Sequence, residues 1–170
     1  MKTMTSVAAG TWTVDLTHTQ ASFAARHLFG QTVHGRITIT AGTIEVGQDG
    51  RPQRLHATLD PASIDTGHTR RDSDLRGKRF LAVDEYPLME IIADQITATA
   101  EGWRAEAALR GHGCEAPLRI DATLESADAV CLQLTGSARL DLRDVGIRVP
   151  RFLVRRFVDV SVSAQATRPA

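Results

Sequence analysis

This chain has no excess of charge of one sign, and it has few cysteines. The 170 residues contain 20 basic and 20 acidic side chains, so the formal net charge is zero. The chain therefore lacks the long-range field that draws proteins to phosphate backbones, which disfavours a general nucleic-acid binder. Cys114 and Cys131 are the only cysteines, too few for a zinc spacing or a disulfide framework. A chain of this length folds as one domain without such staples.

Long apolar runs are also absent. The first residues, 1–11, hold the short stretch VAAG but no apolar run of about seven or more residues, so no secretory signal peptide is visible. No window approaches the roughly 20 apolar residues of a membrane-spanning helix. We therefore expect a soluble protein of the cytoplasm.

Aromatic residues are scarce at 5% of the chain, while many inward positions hold alanine. A well-filled core normally mixes small side chains with large ones that interdigitate. The small residues therefore favour an internal apolar cavity, a suitable place for an apolar ligand. In the alternative, Leu, Ile and Phe from facing strands fill the space. The alanines concerned are Ala21, Ala25, Ala57, Ala105, Ala107, Ala122 and Ala164.

What the sequence does contain is a repeated two-residue alternation of apolar and polar side chains. In RLHATLD, for example, Leu55, Ala57 and Leu59 alternate with polar residues, as in a strand with one wet and one dry face. About eight such segments occur, separated by turn signals that include Gly42 and GQDGRP. Short connections favour antiparallel neighbours, and closure removes unpaired edges. The segments begin with TQASF, GRITI, RLHAT, PLMEI, WRAEA, APLRI, VCLQL and FVDVS.

This pattern predicts an all-β fold. The simplest architecture is an antiparallel up-and-down barrel of about eight strands, a size at which the interior either fills with side chains or holds one small ligand. A sandwich of two sheets is the alternative.

The stretch SIDTGHTRRDSDLRG interrupts the alternation with charge. The apolar residues that follow it have helical spacing rather than strand spacing. Thr69 or Asp72 is suited to cap a helix, with an acidic group near its positive end. We therefore predict a short helical insertion around residues 69–81, with Phe80 and Leu81 turned inward.

Several rare combinations occur in order along the chain. The segment SIDTGHTRRDSDLRGKRFLAVDEYP joins an SIDTG element to an Arg-Asp pair, a Leu-Arg, a Phe and a Tyr-Pro. The opening WTVDLTHTQASFAARHLFGQTVHGRI and the later elements LRG and DVGI add to this pattern. In these features the chain resembles the YceI-like family of lipocalin-like, polyisoprenoid-binding proteins. The matching positions of the opening are Trp12, Asp15, His18, Phe23, His27, Val33 and Gly35.

The resemblance implies a single YceI-like β-barrel domain at residues 12–166 after an N-terminal extension at residues 1–11. It implies an eight-stranded, lipocalin-like barrel that holds an isoprenoid chain, such as that of a prenyl quinone or a polyprenyl phosphate. It also implies a homodimer. No cofactor is expected besides this bound isoprenoid lipid or quinone. The chain departs from the family at AALRGHGCEAPL and at Leu142, where an Arg is common.

The candidate ligand contacts combine apolar inward positions with a few polar residues. Asp65 and Arg71 could contact the head group of the ligand, or could belong to an ion-pair and capping network at the strand-to-helix corner. His27 could bond to a quinone-like carbonyl or to a neighbouring strand, and its spacing to the other histidines does not suit zinc. The full set is Phe23, His27, Ile37, Ile39, Leu59, Asp65, Arg71, Phe80, Leu81, Tyr86, Ile91, Trp103 and Leu109.

Arginine is concentrated in the stretch LRDVGIRVPRFLVRRF. Arg148, Arg151, Arg155 and Arg156 could make transient contact with a membrane surface, since each basic residue near an anionic surface contributes about 1 kcal/mol. A solvated loop is the alternative.

No nucleophile and base can be paired in the sequence. Even in HGC, residues 112–114, adjacent side chains point apart and no carboxylate is placed to orient the imidazole. We therefore expect non-enzymatic binding or carriage of a long apolar isoprenoid, with no catalytic residue and no metal. The alternatives are an enzyme acting on a small apolar substrate in the same cavity, with Arg71, Asp65 or His27 in an acid-base role, and a ligand-free interaction module.

Overall fold

The computed structural model describes residues 7–26, 30–147 and 156–169. Strands dominate these residues, together with one α-helix, and the predicted all-β class is confirmed. The helix α1 spans Thr69–Arg76, and a short 3-10 helix spans Leu16–His18. The strands are β1 (Gly10–Val14), β2 (Gln20–Arg26), β3 (Thr32–Val46), β4 (Pro52–Asp65), β5 (Met89–Ala98), β6 (Gly102–Gly111), β7 (Cys114–Ala127), β8 (Cys131–Asp141) and β9 (Phe157–Thr167).

The described strands form one closed antiparallel sheet. From β2 to β9 each strand pairs with the next one along the chain, and β2 also pairs with β9, which closes the ring. β1 pairs with β3 and β9 as well. β1 and β2 are therefore two parts of one barrel position, interrupted by the 3-10 helix. The result is the eight-stranded up-and-down barrel that the alternation predicted.

The strand β1 was not predicted from the sequence, although its Trp12 is completely buried. The strand ends where the carboxylate of Asp15 accepts a hydrogen bond from the backbone N–H of Thr17 and caps the 3-10 helix. The same carboxylate bonds to His18 Nδ1 at 2.8 Å, and this bond lowers the pKa of Asp15. A five-residue strand next to such a turn is too short to show a clear period.

The prediction of a turn at Gly42 is wrong. Strand β3 runs through this residue. A Cβ atom at Gly42 would lie 2.7 Å from Val14 Cγ2. Only glycine therefore allows β1 and β3 to approach each other this closely.

The helical insertion is shorter than predicted. Helix α1 ends at Arg76, because Gly77 takes an extended conformation with φ −76° and ψ 173°. Residues 77–86 continue mainly as turns. The apolar spacing over residues 69–81 therefore arises from a helix followed by turns, which bring side chains to one side at similar intervals.

His68 is the N-cap of α1, in place of Thr69 or Asp72. Its Nδ1 accepts a hydrogen bond from the backbone N–H of Arg71 at 3.3 Å. Asp72 is instead engaged by the backbone N–H of Thr66 at 2.9 Å. The acidic residue therefore joins the helix to the end of β4.

Two buried clusters lie toward the two ends of the barrel. One lies at the end where β1 begins, which we call the N-terminal end, and the other lies at the end that carries α1, which we call the helix end. The N-terminal cluster contains Val7, Trp12, Val46, Leu132 and Ala166. The helix-end cluster contains Ala93, Ala105, Ala107, Leu109, Ala116, Leu118 and Val145.

In the described residues no helix combines the length and hydropathy needed to cross a bilayer.

Candidate ligand-binding cavity

A cavity lies inside the barrel between the two clusters. Its volume is about 160 Å³. Each of the eight barrel positions contributes inward side chains to its wall, so the cavity is a property of the closed sheet. The wall consists of Val7, Val14, Thr19, Ile39, Ile44, Val46, Pro52, Leu55, Ala57, Ile91, Ile96, Trp103, Ala105, Ile120, Ala122, Leu132, Leu134, Thr135, Gly136, Val162 and Ala164.

The described wall is apolar. No charged residue lines it, and the hydroxyls of its two threonines are engaged elsewhere: Thr19 accepts from the backbone N–H of Gln165 at 3.2 Å and Thr135 donates to Glu125 at 2.9 Å. At Gly136 an added Cβ atom would meet its nearest neighbour, Ile120, only at 3.6 Å, an ordinary contact distance. Such a space offers few hydrogen-bond partners to water and suits a hydrocarbon guest.

The volume of the cavity indicates the size of its guest. An engineered cavity of about 150 Å³ with aliphatic and aromatic walls stays dry and binds benzene. The present cavity is of similar size. In this conformation it therefore accommodates a small apolar group, and because the cavity is not fully enclosed, the rest of a longer tail would extend through its opening.

Three of the predicted ligand contacts line the cavity: Ile39, Ile91 and Trp103. Four of the inward alanines also line it, Ala57, Ala105, Ala122 and Ala164. Ile39 and Ile91 come from β3 and β5, and Trp103 comes from β6. Trp103 pairs across the sheet with Ala122, which also lies on the wall. The large indole thus faces a small side chain, and this pairing leaves room in the centre.

Four further predicted residues lie in the barrel nearer the helix end. Leu59 and Leu109 are 7% and 5% exposed. Phe23 places its ring over Gly35, its partner on β3. Ile37 lies one pair further along the same two strands, opposite Ala21. These residues continue the barrel interior beyond the cavity wall.

The predicted residues that follow α1 lie away from the cavity wall. Phe80, Leu81 and Tyr86 are half-buried in the turns between α1 and β5. The ring of Tyr86 lies 5.0 Å from that of His112, in the turn between β6 and β7. This segment therefore covers the helix end of the barrel from outside.

Asp65 and Arg71 lie at the corner between β4 and α1. The Asp65 carboxylate accepts a hydrogen bond from the backbone N–H of Gly67 at 2.8 Å. Arg71 donates to the hydroxyl and the carbonyl of Thr66 at 2.8 and 3.0 Å. Hydrogen bonds from Thr66 to the buried Asp72 lower the pKa of Asp72. These contacts hold the backbone of the corner, and neither Asp65 nor Arg71 touches the cavity.

Most residues of the wall were not predicted from the sequence as ligand contacts. Leu55, Leu132 and Val162 occupy inward positions of the alternation and could therefore have been predicted. Val7 and Gly136 carry no such signal, because one lies before the first strand and the other has no side chain. The alternation identifies the inner face, but it does not indicate which part of that face borders empty space.

Some predicted residues cannot be placed, and no metal cluster is found among the others. His27 lies outside the described residues, as do Arg148, Arg151 and Arg155. Arg156 is described and bonds to the Asp141 carboxylate, with Nε to Oδ2 at 2.7 Å. In the described ranges, His, Cys, Asp and Glu side chains form no group of three or more that could hold a metal ion.

Relatives of this chain are found by sequence. A UPF0312 protein of Serratia proteamaculans is 22% identical over 89% of this chain and 82% of its own length. A UPF0312 protein of Pseudomonas syringae pv. tomato is 28% identical over 78% of this chain and 73% of its own length.

Solved structures share the fold at low sequence identity. BcnA of Burkholderia cenocepacia matches with a TM-score of 0.79 and 16% identity, over 91% of this chain and 99% of its own. A polyisoprenoid binding domain from Saccharophagus degradans, implicated in plant cell wall breakdown, matches with a TM-score of 0.72 and 12% identity, over 93% and 98% of the two chains. The model of the YceI-like domain matches residues 12–166. This chain therefore belongs to the YceI-like domain family.

Proposed function

We propose that this protein binds and carries an apolar isoprenoid in the interior of its barrel without transforming it chemically. The observation that carries the proposal is the internal cavity, whose described wall is built from every barrel position and bears no charged side chain. A wall of this chemistry selects for hydrocarbon and against polar solutes.

The chemistry of the wall also supports binding rather than catalysis. Its described residues supply no carboxylate, imidazole, thiol or amine to act on a guest. General acid-base and nucleophilic mechanisms need such groups within hydrogen-bond reach of the reacting atoms.

The energetics suit a carrier. Burial of hydrocarbon gives about 0.8 kcal/mol per methylene relative to water. The lipid bilayer is the competing environment and offers a similar gain, so the net free energy of transfer into the barrel is small. A carrier with a comparable apolar interior can therefore both take up and release its ligand.

The likeness to the Saccharophagus degradans polyisoprenoid binding domain supports an isoprenoid as the ligand, such as a prenyl quinone or a polyprenyl phosphate. Because the described cavity wall has no charged side chain, a phosphate head would lie outside the cavity. Asp65 and Arg71 stay predictions as contacts of that head.

Native mass spectrometry of the gently purified protein tests this proposal. We expect a copurifying prenyl lipid, or uptake of an added prenyl quinone that quenches the fluorescence of the two tryptophans, Trp12 and Trp103, of which Trp103 lines the cavity wall. The absence of copurifying lipid, together with no uptake of prenyl alcohols or quinones, would overturn the proposal.

Filling the cavity provides a test of location. We expect Ala122→Leu to weaken prenyl binding by at least about tenfold, because the added carbons occupy the space of the guest. Ala57→Leu is a second variant, on the part of the wall that β4 supplies. Ala108→Leu is the matched control, since Ala108 lies between the inward residues Ala107 and Leu109 and faces outward. If the control weakens binding as much as Ala122→Leu does, the guest lies elsewhere.

A homodimer, a cytoplasmic location and transient membrane contact through Arg148, Arg151, Arg155 and Arg156 stay predictions. Light scattering coupled to gel filtration measures the oligomeric state. Pelleting with vesicles, with and without anionic lipid, measures membrane contact, and we expect binding to the anionic vesicles only.

A further inference from the structure

The segment before β1 supplies part of the cavity wall, although it lies outside the residues that match the family domain. The match begins at residue 12, whereas Val7 is 3% exposed and lines the cavity. Val7 belongs to the same buried cluster as Val46 and Leu132, which also line the cavity. One apolar group of the wall therefore comes from a segment that the family domain itself does not supply.

Gly10 joins this segment to the barrel. The residue is the first of β1, and its φ is 129°, a conformation that residues with a Cβ atom rarely adopt. Residues 7–9 precede the strand and are not part of it. The position of Val7 therefore depends on the side chains that hold residues 7–9.

Two side chains hold these residues. The indole N–H of Trp12 donates to the carbonyl of Ala8 at 2.9 Å. Arg168 donates from Nη1 to the carbonyl of Ala9 at 3.3 Å and from Nε to the carbonyl of Ala129 at 2.8 Å. Its guanidinium also lies over the ring of Trp12, 5.7 Å from the centroid. Arg168 thus links residues 7–9 to the turn between β7 and β8.

Arg168 lies outside the family match as well, because the match ends at residue 166. The two segments that flank the domain therefore meet at the N-terminal end of the barrel, through the bond from Arg168 to Ala9. The family domain forms the barrel, and these flanking segments add Val7 to the wall of its cavity.

We infer that Val7 contacts the isoprenoid tail and that Arg168 is a positioning residue, which holds residues 7–9 so that Val7 faces the guest. This inference rests on the proposed function, because it concerns the same cavity. A guest that touches Val7 favours the conformation in which residues 7–9 are held. Ligand binding should therefore also protect the amides of residues 7–9 from local opening.

The substitution Val7→Thr tests the contact with little change in the shape of the side chain. Threonine puts a hydroxyl group on an apolar wall, where a hydrocarbon guest offers it no hydrogen bond. The probe is farnesol, a prenyl alcohol of three isoprene units, and isothermal titration calorimetry measures its binding. We expect the affinity to fall by about tenfold.

Val130→Thr is the matched control for this change. Val130 lies in the turn between β7 and β8, at the same end of the barrel, but it is 38% exposed and does not line the cavity. We expect this variant to bind farnesol as the wild type does. An equal loss of affinity in the two variants would show that Val7 makes no special contact with the guest.

The substitution Arg168→Gln tests the positioning role, because glutamine is too short to bond to both carbonyls. We expect a loss of affinity of about threefold to fivefold, and part of it should return in Arg168→Lys, which keeps a charged donor. The loss should be smaller in a chain that already carries Val7→Thr, because Arg168 acts through Val7. Hydrogen exchange should show that farnesol protects residues 7–9 in the wild type and protects them less in Arg168→Gln.

The outcomes separate this inference from the proposed function. If farnesol binds the wild type and binds Val7→Thr equally tightly, the contact is wrong while isoprenoid binding stands. If the losses from Val7→Thr and Arg168→Gln add in full, or if farnesol leaves the exchange of residues 7–9 unchanged in the wild type, the positioning role is wrong. If farnesol does not bind the wild type and no prenyl lipid copurifies, the inference and the proposed function are both wrong.

Discussion

Asp72 illustrates at the scale of one residue how a charged segment serves the fold. It is 6% exposed and lies in the most polar stretch of the chain. Its carboxylate accepts hydrogen bonds from the backbone and the hydroxyl of Thr66, and these bonds hold its pKa below the ordinary value. Arg76, one turn further on, donates to the carbonyls of Ala62 and Ile64 at 2.8 and 3.0 Å. The charges of this stretch thus anchor α1 to the end of β4.

The substitution Asp72→Asn tests this role through pH. Because the pKa is lower in the folded state, the carboxylate stabilises the protein above the ordinary value of 3.8, and this contribution is lost as the pH falls through the folded-state pKa. We expect the variant to have a lower free energy of unfolding at pH 7. The difference in free energy of unfolding between the variant and the wild type should become smaller below about pH 4.

Urea unfolding at a series of pH values measures this gap. Asp74→Asn removes an exposed carboxylate from the same helix and serves as the control for the change in net charge. A gap that stays constant down to pH 2 would show that the ionised form of Asp72 contributes nothing.

At the scale of elements, the turns decide how the alternating strands connect. The turn between β6 and β7 has two residues, His112 and Gly113, with φ of 52° and 71°. Positive φ at both positions is typical of the tight turns that match strand twist. The Tyr86 hydroxyl would lie 3.2 Å from a Cβ atom at Gly113, so this turn also contacts the segment after α1.

We expect Gly113→Ala to lower the free energy of unfolding by about 1–2 kcal/mol, the cost of a left-handed conformation for a residue with a Cβ atom. Gly136→Ala is the control, since its added methyl group meets only an ordinary contact at 3.6 Å. Urea unfolding compares the two variants. Equal losses would show that the turn at Gly113 carries no conformational constraint.

Sequence patterning predicted most elements correctly. All of the segments identified by their alternation overlap strands, because residues on one face of a strand recur every second position whatever lies opposite. The exceptions depend on contacts between distant segments. Gly42 continues β3 because Val14 approaches it, and β1 is a strand because it pairs with β3 and β9.

For the whole molecule, the cavity makes stability depend on ligand. A guest that binds only the folded barrel adds about 2.7 kcal/mol when its free concentration is one hundred times its Kd. For a chain of this size we expect geraniol to raise the Tm by about 5–10 °C under that condition. Calorimetry or circular dichroism measures the shift.

Ala122→Leu is the control for this stabilisation, because the leucine side chain takes the space of the guest. We expect its Tm to be insensitive to geraniol. A shift of equal size in this variant would mean that geraniol stabilises the protein from a site outside the cavity.

The candidate site was less predictable than the fold. Ile39, Ile91 and Trp103 were correctly assigned to the inner face and line the cavity. Leu109 was assigned to the same face, but it packs into the helix-end cluster. All four residues lie in similar alternating segments. What differs is the set of side chains that pack against them from other strands and turns, and the local sequence does not contain this information.

The sequence by itself determined the alternation, and with it the strands and their inner face, because both follow from the local period of side chains. Closure into a barrel rather than a sandwich of two sheets was decided by the pairing of β2 with β9. The tertiary structure alone decided where the interior is filled and where it is empty. Val145 from a turn and Val7 from the segment before β1 reach the interior only after the chain has folded. The volume left between them depends on the meeting of side chains far apart in the chain, which no local pattern records.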